Sequence, residues 1–250
     1  MARECAFCPN PATTGEHLWS EWVSKLLGPK NRYNIRREME DEVFHWKCVG
    51  LNETVPVLCV TCNNVWGGRL ELQMKDVVAE MVRDATPKML SKTDIETIAR
   101  FALMKSFVAE YMRESGKLFY DRATRFSFRR DFTFPPGIQM WIGNTTLEHG
   151  IFKASYAQLP LNNPQRFELY IFTISCGHLV IQVTCSRWMK KAYRRHANPP
   201  KLTPAAIWSA VSTRIWPDGS VAIPWPPPVQ MPKGVQGSLA ERWRKVNREI

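Results

Sequence analysis

Apolar residues return every three or four positions between Asp94 and Glu114: Ile95, Ile98, Ala102, Phe107 and Tyr111, with Ala99, Leu103 and Met112 beside them. This spacing predicts the principal helix of the chain. Thr93 and Glu96 read as its capping box and Gly116 as its stop. Upstream, His17 to Leu27 reads as a short strand that turns into a short helix, with Leu18, Trp22 and Leu26 on one face and Gly28-Pro29 as the break. Residues 30–42 are polar and charged and predict a surface excursion. Val43 to Leu58 holds strand-like pieces (VFHWKCV, TVPVL). A helix should start at Asn63 and run to Asp84 before Pro87, weakened by Gly67-Gly68 at ~1 kcal/mol each relative to Ala.

Phe119 to Phe134 mixes aromatic residues with Arg122, Arg125, Arg129 and Arg130. Beyond Pro135-Pro136-Gly137, alternating runs at Ile138–Thr146, Ile151–Leu159, Phe167–Ser175 and His178–Cys185 predict an antiparallel sheet packed on the long helix. Cys176-Gly177 has hairpin spacing. The tail predicts a helix over Pro204–Ser212, a Pro-rich stretch over Pro224–Pro232 and a last helix capped by Ser238 and Glu241. The fold class is α+β. Residues 1–90 are expected to form one module, followed over 91–250 by a basic accessory domain of a helix plus an antiparallel sheet.

Charge sharpens that division. The net charge is +11 over 250 residues. Residues 1–90 hold 11 Lys/Arg against 12 Asp/Glu, and 91–250 hold 23 against 11, so the second part carries the whole excess. A polyanion such as DNA or RNA is the partner this implies, against the plainer reading of a solvated basic face. Arg187, Lys190, Lys191, Arg194 and Arg195 would share one face if that stretch were helical, a surface suited to tracking phosphates. No apolar run approaches the ~20 residues of a membrane helix, and the N-terminus lacks an apolar signal segment. The expectation is a cytoplasmic protein with no membrane partner.

The seven cysteines carry the strongest local signal. Cys5-Ala6-Phe7-Cys8 and Cys59-Val60-Thr61-Cys62 are two C-x-x-C turns about 50 residues apart, the spacing of a four-thiolate zinc site. Buried free thiols, or a rival set using His45 and Cys48 with Cys59 and Cys62, are the alternatives. Cys48, Cys176 and Cys185 then remain free. A zinc so placed brings Glu16-His17 beside Asn63. His149, His178 and His196 show no partnered spacing and read as structural or surface residues.

These residues resemble the HNH endonuclease family, whose fold is called ββα-metal. Its pattern is a C-x-x-C, an acidic residue next to His, then a second C-x-x-C followed by Asn or His opening a helix; here Cys5/Cys8, Glu16-His17 and Cys59/Cys62-Asn63. More narrowly, the chain resembles uncharacterised bacterial and phage HNH proteins through His17, Trp22, Asn63, Trp66, Leu70 and Glu71. It differs at Ser20, where that group has Pro, at Val65, where it often has Gly, and in having Glu16 where many members have Asp. The resemblance covers roughly the first 75 residues.

It implies a zinc-stabilised ββα module that hydrolyses phosphodiester bonds in DNA, in a phage, mobile-element or defence setting. His17 suits general-base activation of water, with an unperturbed pKa of ~6.5. Glu16 and Asn63 offer hard oxygen ligands to Mg²⁺ or Mn²⁺. The Cys5/Cys8/Cys59/Cys62 zinc has no open position and is structural. Alternation along a strand sends Glu16 and His17 to opposite faces, and the family's distorted hairpin is implied as the remedy. Glu71 reads as a supporting acceptor or ion-pair partner in preference to an extra metal ligand, and Asn52 as a residue that orients the histidine or its loop. Two other readings stay open: a catalytically silent zinc module that binds nucleic acid, and a protein-interaction or inhibitor protein whose partner docks on the C-terminal domain.

Overall fold

In the computed structural model, the described residues are 3–28, 30, 32–39, 42–112, 118–145, 151–160, 166–188, 211–217 and 222–231. A short strand β1 (Thr14–His17) pairs antiparallel with β4 (Thr54–Leu58), and α1 (Glu21–Leu27) follows β1. The chain between them forms β2 (Arg32–Met39) and β3 (Glu42–Val49). After β4 the helical segment opens as a π-helical stretch, Thr61–Gly67, and continues as α2 (Gly68–Asp84). The widened turns bring the Cys62 carbonyl to 3.0 Å from where a Gly67 Cβ would sit, which explains a glycine there. The pair expected to weaken the helix thus marks the change from π to α geometry.

Then come β5 (Lys88–Ser91), α3 (Lys92–Ala109) with a 3₁₀ turn at Glu110–Met112, and α4 (Arg122–Asp131). The expected long helix is present, but its cap lies two residues earlier. Ser91 Oγ accepts from Asp94 N, while the Asp94 side chain accepts from Ser91 N at 2.9 Å. Ser91→Ala is expected to lower stability by about 1 kcal/mol while Thr93→Ala does not, read as the shift in urea midpoint. The basic-aromatic segment forms α4, capped by Asp121 accepting from Thr124 N at 2.8 Å.

The four predicted strands are β6 (Ile138–Asn144), β7 (Ile151–Pro160), β8 (Arg166–Cys176) and β9 (Leu179–Trp188), completed by β10 (Ser212–Trp216) and β11 (Ala222–Trp225). The large sheet has the order β10-β6-β9-β8-β7-β2-β3. Its pairs are antiparallel except β2 on β7. The polar stretch expected as a surface excursion is therefore mostly strand. Its backbone pairs with β3 on one side and, more than a hundred residues along the chain, with β7 on the other. Residues 204–210 and the predicted last helix lie outside the described residues; β10 begins at Ser212, and the Pro-rich stretch supplies the end of β11.

Packing crosses the expected boundary near residue 90. Phe7, between the first two cysteines, has its ring 4.9 Å from Trp66, 5.9 Å from Phe107 on α3 and 6.5 Å from Phe128 on α4. Phe107 meets Tyr120 edge to face at 4.5 Å, and Tyr120 in turn meets Tyr170 of β8 at 5.6 Å. Trp19 Nε1 donates to Ser175 O at 3.0 Å. The β8–β9 turn seats Gly177 (φ +53°) against α2, where a Cβ would lie 2.0 Å from Val82 O. One buried apolar cluster joins residues from both halves. Among the described residues, no helix is long and apolar enough to cross a membrane.

Candidate metal centre and adjoining polar cluster

The four cysteine sulfurs lie within 4.8 Å of one another. Cys8 Sγ is 3.5 Å from both Cys59 Sγ and Cys62 Sγ. A tetrahedron with metal–sulfur bonds of ~2.3 Å has sulfur–sulfur edges of about 3.8 Å, so the cluster can hold a metal ion such as zinc. Local structure prepares it: Cys5 N donates to Asn10 O at 2.8 Å, Ala6 N to Val57 O at 2.9 Å, and Cys62 N to Cys59 Sγ at 3.4 Å. Before a metal binds, the Cys62 hydrogen bond pulls the Cys5 thiol down to about 5, while the same contact pushes the Cys62 thiol up and burial raises Cys8, so one thiolate is held by its protonated neighbours. The rival set is not the one assembled, since Cys48 Sγ donates to Gly50 O at 3.0 Å. Burial holds the Cys176 and Cys185 thiols up at about 12.

Beside the cluster, Asn63 holds β1. Its Nδ2 donates to Thr14 Oγ1 at 3.1 Å and to Gly15 O at 3.0 Å. That use of the amide nitrogen directs Asn63 to the strand backbone and leaves its Oδ1 without a hydrogen bond among the described residues. The register of β1 on β4 shifts between Thr14 and Glu16, yet alternation persists at its end. Glu16 turns inward and is 3% exposed, while His17 is half-buried at the strand terminus. Glu16 and Asn63 are thus not brought together as an open ligand pair.

The partner of Glu16 comes from α3. Lys105, 0% exposed, ion-pairs with Glu16 Oε1 and donates to His17 O at 2.7 Å and to Glu71 Oε1 at 2.9 Å. Ser20 Oγ also donates to Glu71 Oε1, at 2.6 Å. This is the role of Ser20, where the resembled proteins have Pro: it ties the start of α1 to α2. Burial pushes the Glu71 carboxyl up, but Lys105 and the Ser20 hydrogen bond outweigh it and hold it below its ordinary value. Burial likewise works against the charged form of Lys105, and the two carboxylates outweigh it, raising its pKa. For Glu16, burial prevails over Lys105 and the carboxyl is raised.

Lys105 was not among the residues singled out from the sequence. The signal lies in its setting. Phe101-Ala-Leu-Met-Lys105-Ser-Phe-Val-Ala109 is a helix segment buried all round, and a charge there requires a partner. Asn52 is exposed at the start of the loop entering β4, whose Glu53 O accepts from Leu18 N at 2.9 Å.

Of the expected phosphate-tracking stripe, Arg187 lies in β9, not on a helix face. Its Nε donates to Glu168 Oε2 at 2.5 Å, and its guanidinium sits 4.4 Å from the Phe119 ring centroid. A cross-strand carboxylate and an aromatic face bind it into the structure. Lys190, Lys191, Arg194 and Arg195 lie outside the described residues. α4 brings three arginines to the residues around the cysteines. Arg125 Nε donates to Ala6 O at 3.0 Å, Arg122 pairs with Glu4 at 2.5 Å, and Arg129 lies 5.0 Å from the Trp66 ring centroid.

Comparison with protein-family models finds no match, and comparisons with curated proteins and with solved structures return no significant similarity.

Proposed function

We propose that this chain is a zinc-stapled hydrolase of nucleic-acid phosphodiester bonds, an HNH-type endonuclease acting on DNA with His17 as general base. One observation carries the reading. An antiparallel strand pair followed by a helix is pinned over the four-cysteine cluster, and the helix's Asn63 holds the strand that ends in His17. Strand, strand and helix in this order are what the ββα resemblance implies. Zinc at Cys5, Cys8, Cys59 and Cys62 is structural, because four thiolates leave no position for substrate.

In the proposed reaction a water oxygen attacks phosphorus, its proton passes to the His17 ring, and the P–O bond to the leaving sugar oxygen breaks; that oxygen takes a proton from solvent. The half-buried ring at the strand end can face both water and substrate, with the Glu71 carboxylate nearby. The divalent ion expected on Glu16 and Asn63 fits less well. Glu16 is enclosed and already carries Lys105, so the donor set leaves such an ion one amide oxygen, Asn63 Oδ1. α4, which meets the first knuckle through Arg125, also carries the exposed Arg130, paired with Asp131 at 3.0 Å. A phage, mobile-element or defence role, and a protein partner on the C-terminal part, belong to this proposal through the resemblance alone.

The engagement of Glu16 by Lys105 favours a second reading, a zinc module that binds nucleic acid without cutting it. Plasmid nicking in Mg²⁺, Mn²⁺ or EDTA, with wild type and His17→Ala side by side, separates the two. The expected outcome is metal-stimulated nicking that falls roughly 10²–10⁴-fold in His17→Ala. Nicking that survives this substitution would remove His17 from the mechanism. Salt-sensitive retention of DNA without nicking would establish the silent module.

A further inference from the structure

The geometry points to Lys105 as the resident cation of the Glu16–Glu71 site: its ammonium occupies the position that a divalent ion would take between these carboxylates. The inference deepens the hydrolase reading by assigning the cation of that site, and it stands on contacts which that reading does not supply.

A lysine ammonium has three N–H donors. Here all three have acceptors: Glu16 Oε1, Glu71 Oε1 at 2.9 Å and the His17 carbonyl at 2.7 Å. Two carboxylates and a backbone carbonyl are the hard oxygen set that would hold Mg²⁺ or Mn²⁺. The oxygens converge from two elements, β1 and α2, the lysine reaches them from a third, α3, and its side chain has no accessible surface. A free ion would have to shed water to enter, and Mg²⁺ dehydrates reluctantly. The ammonium arrives on its own helix, already in place when the core forms. The apolar stem packs in the body of α3, with Nζ 5.1 Å from the Phe101 ring centroid, on the cation-attracting face of that ring.

Two consequences follow for the chemistry at His17. Lys105 is a positioning residue: by holding the His17 carbonyl it fixes the end of β1 whatever the divalent-ion concentration. A metal that takes part in cleavage does not use Glu16. Two carboxylates and one ammonium leave a net charge of −1 in the cluster, against zero with a divalent ion. That residual negative charge sits beside the half-buried ring of His17.

The test titrates the full-length, zinc-loaded protein with Mn²⁺ and follows free Mn²⁺ by electron paramagnetic resonance. Wild type and Glu16→Gln are expected to bind Mn²⁺ alike. Lys105→Ala is expected to gain a Mn²⁺ site that the wild type lacks and that disappears when Glu16→Gln is added. Should Lys105→Ala fail to fold, the wild-type comparison still decides, together with the ¹⁵N resonance of the buried Lys105 ammonium. That resonance is expected to persist unshifted in millimolar Mg²⁺. Wild-type Mn²⁺ affinity that falls in Glu16→Gln, a folded Lys105→Ala with no new site, or displacement of the ammonium signal by Mg²⁺ would each overturn the assignment. Plasmid nicking scored alongside keeps the two proposals apart. A wild type that never nicks but keeps the Lys105 signal sinks the hydrolase reading, whereas nicking lost together with Mn²⁺ affinity in Glu16→Gln sinks this one.

Discussion

Cys59→Ser is expected to abolish zinc binding and unfold the β1–β4 strand pair together with the π-helical turn. Elemental analysis should find one zinc per wild-type chain and none in the variant. The effect is large because zinc supplies what the local sequence cannot. β1 has four residues and β4 five, too few to hold a two-stranded sheet alone in water. Structural zinc contributes an apparent ~10–16 kcal/mol in small zinc-bound folds near neutral pH. The sheet and α3 persist here without metal, because Phe107, Tyr120 and Tyr170 stay packed on one another away from the cysteines. The expectation is a two-step melt in place of one: early loss of the cysteine knuckles and the β1–β4 pair, then loss of the large sheet and α3. Hydrogen exchange reads it directly, as lost protection at Ala6 N and Thr13 N, whose acceptors are Val57 O and Leu58 O, with protection kept along β8 and β9. A single cooperative transition with full protection in the metal-free variant would show that packing alone holds the centre together.

Lys105→Met should lower stability by about 3–5 kcal/mol, the range for removing one partner of a buried ion pair. It leaves Glu16, at 3% exposure, and most of Glu71 facing no cation. The pH dependence identifies the cause. In the wild type, Glu71 has a lowered pKa, so its contribution is full above the ordinary carboxylate value of ~4.3 and is lost as pH falls through its folded value. Glu16 has a raised pKa, so its share has the opposite sign and stability declines as pH rises through its folded value. Lys105, raised, contributes fully below its ordinary value and loses that contribution only in strong alkali. Without the lysine, Glu16 loses the main group that opposes its burial, and Glu71 keeps the Ser20 hydrogen bond but loses its cation, so both carboxyls move upward. The variant then gains stability on acidification, so its gap to wild type is narrowest near pH 4 and widest near pH 7. Urea unfolding at several pH values measures this, and adding Glu16→Gln should recover part of the loss at neutral pH. A gap independent of pH would mean that lost packing, not stranded charge, causes the destabilisation.

The chemistry-bearing residues were legible to different degrees. The cysteines were the clearest, because a C-x-x-C turn presents two sulfurs by local geometry alone. Two such turns need only be brought together, and the four sulfurs are. Alternation correctly warned that Glu16 and His17 diverge. It could not say where Glu16 would point, since its partner lies 89 positions along the chain on another helix. Asn63 was identified as a site residue, but its amide contacts with Thr14 and Gly15 depend on how the helix lands on the strand. Arg187 looked like part of a helical basic stripe because charge spacing has no period of its own. In the fold it is a strand residue whose carboxylate partner stands directly across at Glu168.

What the sequence by itself determined is what depends on short range. Period and capping residues set the helices and the four C-terminal strands within a few positions. Turn chemistry made the knuckles, and composition set the basic excess beyond residue 90. What only the tertiary structure decided is what depends on chain closure over long separations. The polar hairpin of β2 and β3 joins the large sheet through a parallel pairing with β7 that no local pattern encodes. The aromatic core welds knuckle, helices and sheet across the expected boundary. Lys105 enters between two carboxylates because α3 packs on α2 and behind β1. A buried charge must be paired, so an isolated lysine in an apolar helix announces that a partner exists; only the packing of the elements reveals that the partner is the carboxylate beside His17.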